Sequence, residues 1–259
     1  MAKFCQHCAD LPGELKGTPE GSIQDVGGVP SYVTKGSADR GTIVYATDIY
    51  GLGITNPKLV ADKLSKQSQF TVVVPDIFEG DPMKTGDFVF PKNSKAEKPT
   101  DEQMGQNMSN MMAWVQKGHS PNESYPLIKK VIQSVSERGP VGIVGYCYGG
   151  KLCSLAAQEK IVQGAAIFHA AMLEADEANQ IRDVPILLNM AEWDPTFNGV
   201  EGVWQDTLKS NGLLDKRSQK YSGTCHGFGG RPDQEDPQVM KAFEEANSNT
   251  AAFFRDVLI

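Results

Sequence analysis

Three residues of chemically useful type stand far apart in this sequence: Cys147, Asp194 and His226. Cys147 sits inside Gly145-Tyr146-Cys147-Tyr148-Gly149-Gly150, between an apolar β-branched run and a stretch that reads as helix, Leu152-Cys153-Ser154-Leu155-Ala156-Ala157. That is the strand, sharp turn and helix of a nucleophile elbow, G-x-S-x-G, with cysteine in place of serine. The flanking Gly145 and Gly149 answer a steric demand, because side chains there would strike the neighbouring strand and helix. The turn also puts the sulfur at a helix N-terminus, where free N–H groups and the helix dipole favour negative charge. A plainer reading of the same stretch is a buried cysteine in a glycine-rich turn.

His226 and Asp194 convert the motif into a constellation. In a mainly parallel sheet, ligands bind beyond the carboxyl ends of the strands, and all three residues follow strand-like segments. The chain order nucleophile, acid, histidine is that of α/β-hydrolases. In that arrangement His226 takes the thiol proton and later activates water, Asp194 orients the imidazole, and Cys147 attacks an acyl carbon to form a thioester. The oxyanion needs donors already in place. The N–H of Tyr148 is one, and the N–H of Ile49, after the third strand, is the second. Each residue alone has a duller reading: His226 as a loop histidine, Asp194-Pro195 as a turn. His169, which also ends a strand, either lines a pocket or packs. Tyr50, Trp193, Phe228, Tyr148 and Phe197 are either pocket walls or ordinary core.

The elements that must carry these residues follow from periodicity. Ser22–Val26 and residues 31–34 read as a hairpin around Gly27-Gly28, and Thr42–Ala46 as a third strand. Helical spacing runs over 57–68 and strand character over 70–74. Residues 76–100 show no period and read as a long loop or partial cap, a length often tied to function. Helices are expected at 101–117 and 122–138, then the elbow, strands at 165–168 and 184–190, a helix at 199–211, a last strand at 216–221 and a final helix at 236–257. Strands alternating with helices predict an α/β fold: a mainly parallel central sheet flanked by helices on both faces. One domain spans 22–259 after an N-terminal arm, 1–21. In that arm Cys5-Gln6-His7-Cys8 could hold zinc, but a four-ligand site needs two more ligands, and no second CxxC or HxxxH exists.

The whole chain has 259 residues, a formal charge of −7 and 40% hydrophobic content, suited to one sizeable core. No basic patch argues for nucleic acid, no stretch reaches the ~20 apolar residues that span a membrane, and no signal peptide opens the chain. The expectation is a cytoplasmic protein with reduced thiols, and its five cysteines, an odd count, argue against a disulfide framework.

At this point the sequence resembles the dienelactone hydrolase family of α/β-hydrolases, in its fungal and other eukaryotic branch. The segments that carry the likeness are Gly145-Tyr146-Cys147-Tyr148-Gly149-Gly150, Ala191-Glu192-Trp193-Asp194, and Tyr221-Ser222-Gly223-Thr224-Cys225-His226-Gly227-Phe228. Asp48-Ile49-Tyr50-Gly51 and Val74-Pro75-Asp76 extend it from about residue 17 to the end. The resemblance implies a Cys147–His226–Asp194 triad, no metal or organic cofactor, and hydrolysis of a small-molecule lactone or ester; the expected assembly is a monomer or homodimer. It departs from the bacterial pattern twice. Asp48 stands where those enzymes carry glutamate, one methylene longer. Arg231 lies a residue beyond one of their carboxylate-binding arginines, and no arginine between Asp76 and Arg138 matches the other.

A thiol has a pKa of about 8.5, far below that of a simple alcohol. A tetrahedral intermediate on Cys147 would therefore expel thiolate rather than alkoxide, so substrates with good leaving groups, enol or aryl esters, are expected. The competing readings are a hydrolase-fold protein that binds a ligand without turnover, or one that senses oxidants through Cys147 with Cys153 or Cys225 as partner.

Overall fold

The computed structural model describes residues 13–38, 41–88 and 90–259. The Cys5/Cys8 reading and His7 fall outside them. Eight strands form one sheet in the order β1-β2-β4-β3-β5-β6-β7-β8. The strands are β1 (Ser22–Val26), β2 (Val29–Thr34), β3 (Thr42–Ala46), β4 (Thr71–Pro75), β5 (Val141–Tyr146), β6 (Gly164–Phe168), β7 (Ile186–Trp193) and β8 (Gln219–Cys225). The first two pair antiparallel, with β2 antiparallel to β4, and all other pairs are parallel. The expected α/β-hydrolase architecture is therefore present.

Alternation along each strand splits the core in two. Val44, Ala46, Ile143 and Ile167 face a cluster with Ile128, Val131 and Ile132 of α3 (Pro121–Ser136) and Leu152 and Ala156 of α4 (Tyr148–Gln158). Ile43, Tyr45, Val144 and Phe168 face Val60 and Leu64 of α1 (Asn56–Ser68) and Phe243, Phe253 and Phe254 of α6 (Pro237–Val257). The remaining helices are α2 (Asp101–Trp114) and α5 (Glu201–Ser210). No helix among the described residues is long and apolar enough to cross a membrane.

The strands expected at 184–190 and 216–221 run on to Trp193 and Cys225, α5 and α3 shift by one or two residues at their ends, and three further boundaries differ for a plain local reason. The regular part of α2 stops at Trp114 and a π-helical turn, Val115–His119, follows, closed by Gly118 at φ 107°. The seventh strand begins at Ile186 rather than 184, because Pro185 has no N–H to give the ladder; its carbonyl accepts from Ala165. The last strand begins at Gln219 rather than 216. Asp215 accepts from the Arg217 N–H and guanidinium, and its carbonyl accepts from Ser218, which locks 215–218 into a turn.

The β7–β8 register shifts between Ala191 and Trp193. Ala191 pairs Tyr221 and Trp193 pairs Cys225, so β8 carries the extra residues of a bulge at Ser222, Gly223 and Thr224. Gly223, at φ 84°, takes the left-handed conformation there. Asp194 and His226 are then the next residue after each member of the last rung.

At the elbow two backbones meet with no room for a side chain. A Cβ on Gly145 would stand 2.1 Å from the Gly149 carbonyl oxygen, and one on Gly149 would stand 2.1 Å from that of Ala46. Both contacts are with backbone, so no side-chain rotation relieves them. Gly149→Ala is expected to cost about 3 kcal/mol or more and to lower Tm by roughly 10 °C, read from thermal unfolding.

Candidate active site

Cys147 occupies φ 52°, ψ −113°, a strained conformation for a residue with a side chain. The surroundings enforce it. Its N–H donates to the Phe168 carbonyl at 3.1 Å, and its carbonyl accepts from Gly150 and Ala171 at 2.9 and 3.0 Å. The residue is 8% exposed. Tyr148 begins α4, so its N–H has no partner within the helix. Its hydroxyl donates to the His119 carbonyl or to Ser124 Oγ, both 2.9 Å away, which anchors the first turn. Ile49 follows β3 in a buried loop; its carbonyl accepts from Met83, while its N–H has no hydrogen-bond partner among the described residues.

His226 Nδ1 lies 2.9 Å from Asp194 Oδ1, with both side chains 1% exposed. The same carboxylate oxygen accepts from the Thr196 N–H at 3.0 Å and from its hydroxyl at 2.7 Å. Thr196 thereby fixes the carboxylate, and its hydroxyl also lies 2.9 Å from the Ala170 carbonyl and 3.0 Å from His226 Nδ1. The sequence reading missed Thr196. Its position two residues after an aspartate, the spacing of an Asx turn, was the available signal. Burial opposes charge on the ring, but Asp194 first and the Cys147 side chain second outweigh it and push His226 up to about 10. Burial would also raise Asp194, yet His226 and the Thr196 hydrogen bond hold it below its usual value. His226 Nε2 makes no hydrogen bond to a described residue, which leaves that nitrogen free toward Cys147.

Arg231 closes the opposite flank. Its Nε donates to Asp48 Oδ2 at 3.3 Å, and its guanidinium carbon sits 4.8 Å from the Tyr50 ring centre. Asp48 Oδ1 accepts from the Tyr50 N–H at 3.0 Å. Burial works against the Arg231 charge, while Asp48 chiefly, then Tyr50 and Cys147, favour it, and the net direction is upward.

His169, at φ 35°, is 2% exposed; its ring lies 4.9 Å from that of His226 and 5.7 Å from Phe228. Burial first, then the His226 charge, hold it well below the ordinary histidine value, so it is neutral. Phe228 is buried against Tyr221, Phe168 and His169. Trp193 is half-buried and meets Phe90 edge-on at 6.2 Å, with Lys98 over its ring at 5.1 Å.

Phe90 is the second residue that sequence reasoning missed, and nothing in its aperiodic surroundings signalled it. Its ring stacks on His226 at 4.6 Å. The strap around it is tied down: Cys225 Sγ donates to the Pro91 carbonyl, Ser94 N–H to the Gly223 carbonyl, and Asn93 to Asp233. Cys225, pushed up to about 12 chiefly by burial, and Cys153, raised by burial, stay as buried thiols.

The dienelactone hydrolase family model matches residues 30–258. The chain is 26% identical to the hydrolase pyvD of Aspergillus violaceofuscus over 248 residues, 94% of this chain and 93% of that protein. It is 24% identical to the carboxymethylenebutenolidase homolog of Mus musculus, covering 96% of each. Among solved structures, a putative dienelactone hydrolase from Klebsiella pneumoniae superposes with a TM-score of 0.62 at 12% identity, over 87% of this chain and 92% of that one. Carboxyl esterase 2 of Tuber melanosporum gives 0.61 at 12% identity, over 95% and 90%.

The raised His226 pKa means that its contribution to stability is complete below the ordinary value of 6.5 and is lost as pH rises through about 10. His169 works oppositely: its contribution is present above 6.5 and is lost progressively as pH falls from there through its own depressed value. In Asp194→Asn the burial of His226 loses its chief counterweight, so its pKa falls from about 10 toward or below 6.5, checked by ring NMR titration.

Proposed function

The chain belongs to the dienelactone hydrolase family and is a carboxylic ester hydrolase of that kind; on that premise we propose that Cys147, His226 and Asp194 cleave small lactones and activated esters through a thioester. The observation that carries this reading is the buried Asp194–His226 pair at 2.9 Å, whose raised pKa depends in part on the Cys147 sulfur. With a pKa near 10, the imidazole is protonated at neutral pH and faces the sulfur as a cation.

The reaction starts from that pair. The sulfur attacks the carbonyl carbon, and the carbonyl π electrons move to oxygen. The N–H groups of Tyr148 and Ile49 take the oxyanion, donors already fixed by the elbow and by the loop after β3. As the intermediate collapses, the C–O bond breaks and His226 gives its Nε2 proton to the leaving oxygen. In a lactone that oxygen stays tethered to the acyl group. The neutral ring then takes a proton from water, hydroxide adds to the thioester, and the C–S bond breaks to regenerate sulfur and imidazolium. Asp194, held by Thr196, keeps the proton on Nδ1 throughout.

Leaving-group ability decides which substrates work. A thiolate departs more readily than an alkoxide, so acylation reverses unless the leaving oxygen is a stabilised enolate or phenolate. Arg231 is paired with Asp48, so a substrate carboxylate reaching it would compete with that contact. Ligand binding without turnover remains the second reading, but it gives no role to a carboxylate and hydroxyl converging on one imidazole nitrogen.

Stopped-flow release of phenol from an aryl acetate should show a burst matching the enzyme concentration. Cys147→Ala and His226→Ala should abolish it, and a burst persisting in Cys147→Ala would remove the assignment. Asp194→Asn should lower kcat by roughly 10³–10⁴-fold, the scale set by losing the correct tautomer. Aryl acetates should exceed ethyl acetate by well over tenfold in kcat/KM, and equal rates would count against a thiol nucleophile.

A further inference from the structure

A cavity of about 610 Å³ lies between the 86–100 segment and α2, and none of Cys147, Asp194 or His226 lines it. It nevertheless shares two walls with the catalytic site. Phe90 lines the cavity and stacks on His226 at 4.6 Å. Lys98 lines it too and covers Trp193 at 5.1 Å. One phenyl ring therefore stands as the partition between this space and the imidazole.

The chemistry of the lining is specific. Phe90, Pro91 and Pro99 offer flat apolar surface. Across from them, α2 presents carboxamides in a directed chain: Gln106 Nε2 donates to Asn110 Oδ1 at 2.7 Å, and Asn110 Nδ2 donates to the Asp87 carbonyl at 2.8 Å. That chain fixes which end of each amide is which. It leaves Gln106 Oε1 without a partner among the described residues, an acceptor on the cavity wall. Charge gives no preference, since Lys92 and Lys98 are matched by Asp87 and Glu97 in the lining. A volume of this size suits a small organic molecule.

We propose that this cavity is the subsite for the non-reacting ring of the substrate, a neutral hydroxylated aromatic ring fused or linked to the ester. The proposal rests on the hydrolase reading above and names the substrate class for that same site. The ring lies against Phe90 and Pro91, and a ring hydroxyl donates to Gln106 Oε1. Phe90 swings off His226 as the carbonyl enters, so the partition becomes part of the wall around the bound ring.

The test uses dihydrocoumarin, an aryl lactone, and a ring-hydroxylated dihydrocoumarin. One added hydrogen bond corresponds to a preference of about tenfold in kcat/KM for the hydroxylated lactone. Gln106→Leu should bring that ratio close to one, whereas Gln106→Glu, which keeps an acceptor oxygen, should retain a preference. Position 106 is exposed on α2, so both variants should fold. Cys147-dependent opening of both lactones without a preference in the unaltered protein, or with a preference that survives Gln106→Leu, overturns the subsite. Failure to open either lactone in a Cys147-dependent way overturns the hydrolase reading, and the subsite falls with it.

Discussion

A carboxylate and an imidazole, each almost wholly removed from water, sit 2.9 Å apart at the rim of this sheet. Burying such charges costs several kcal/mol apiece unless partners replace the lost water. Nearly every local feature supplies such a partner. Thr196 gives two hydrogen bonds to one carboxylate oxygen. The His226 N–H donates to the Trp193 carbonyl, tying the ring's backbone to the strand before the acid. Phe90 and His169 then cover the ring from two sides. Neutral His169 matters here, because a second positive charge at 4.9 Å would oppose the first.

Much of this was legible in the chain, and for definite reasons. Gly145 and Gly149 were readable because their spacing is the imprint of two backbones in contact. The run Thr42–Ala46 was readable because a strand buried on both faces is apolar throughout. Asp48 and Arg231, 183 residues apart, could each be nominated from neighbouring motif residues, yet no local pattern shows that they pair with each other. The 76–100 segment was recognised only as aperiodic. Its order comes from ties such as Pro91 to Cys225, 134 residues away, which leave no periodic trace. The ends of β7 and β8 were misjudged because a proline, an aspartate turn and a bulge override strand propensity locally.

The two halves of the site differ in kind. The elbow's half is rigid by construction: a backbone held out of the ordinary allowed regions by three hydrogen bonds and two glycine contacts. The imidazole's half is roofed by a strap held through side chains and a few backbone bonds. The elbow's hydrogen bonds and glycine contacts involve no residue of the strap, so the backbone at Cys147 and the roof over the imidazole are set independently.

The bulge in β8 links the two. Gly223 accepts from Ser94 through its carbonyl and donates to Glu192 through its N–H. The roof is therefore hinged on the same irregular stretch that sets how far Asp194 and His226 stand beyond the last rung. A change of strap length away from Ser94 leaves that hinge in place, so the ceiling over the imidazole and the reach of Asp194 and His226 beyond the sheet are set by separate stretches of chain.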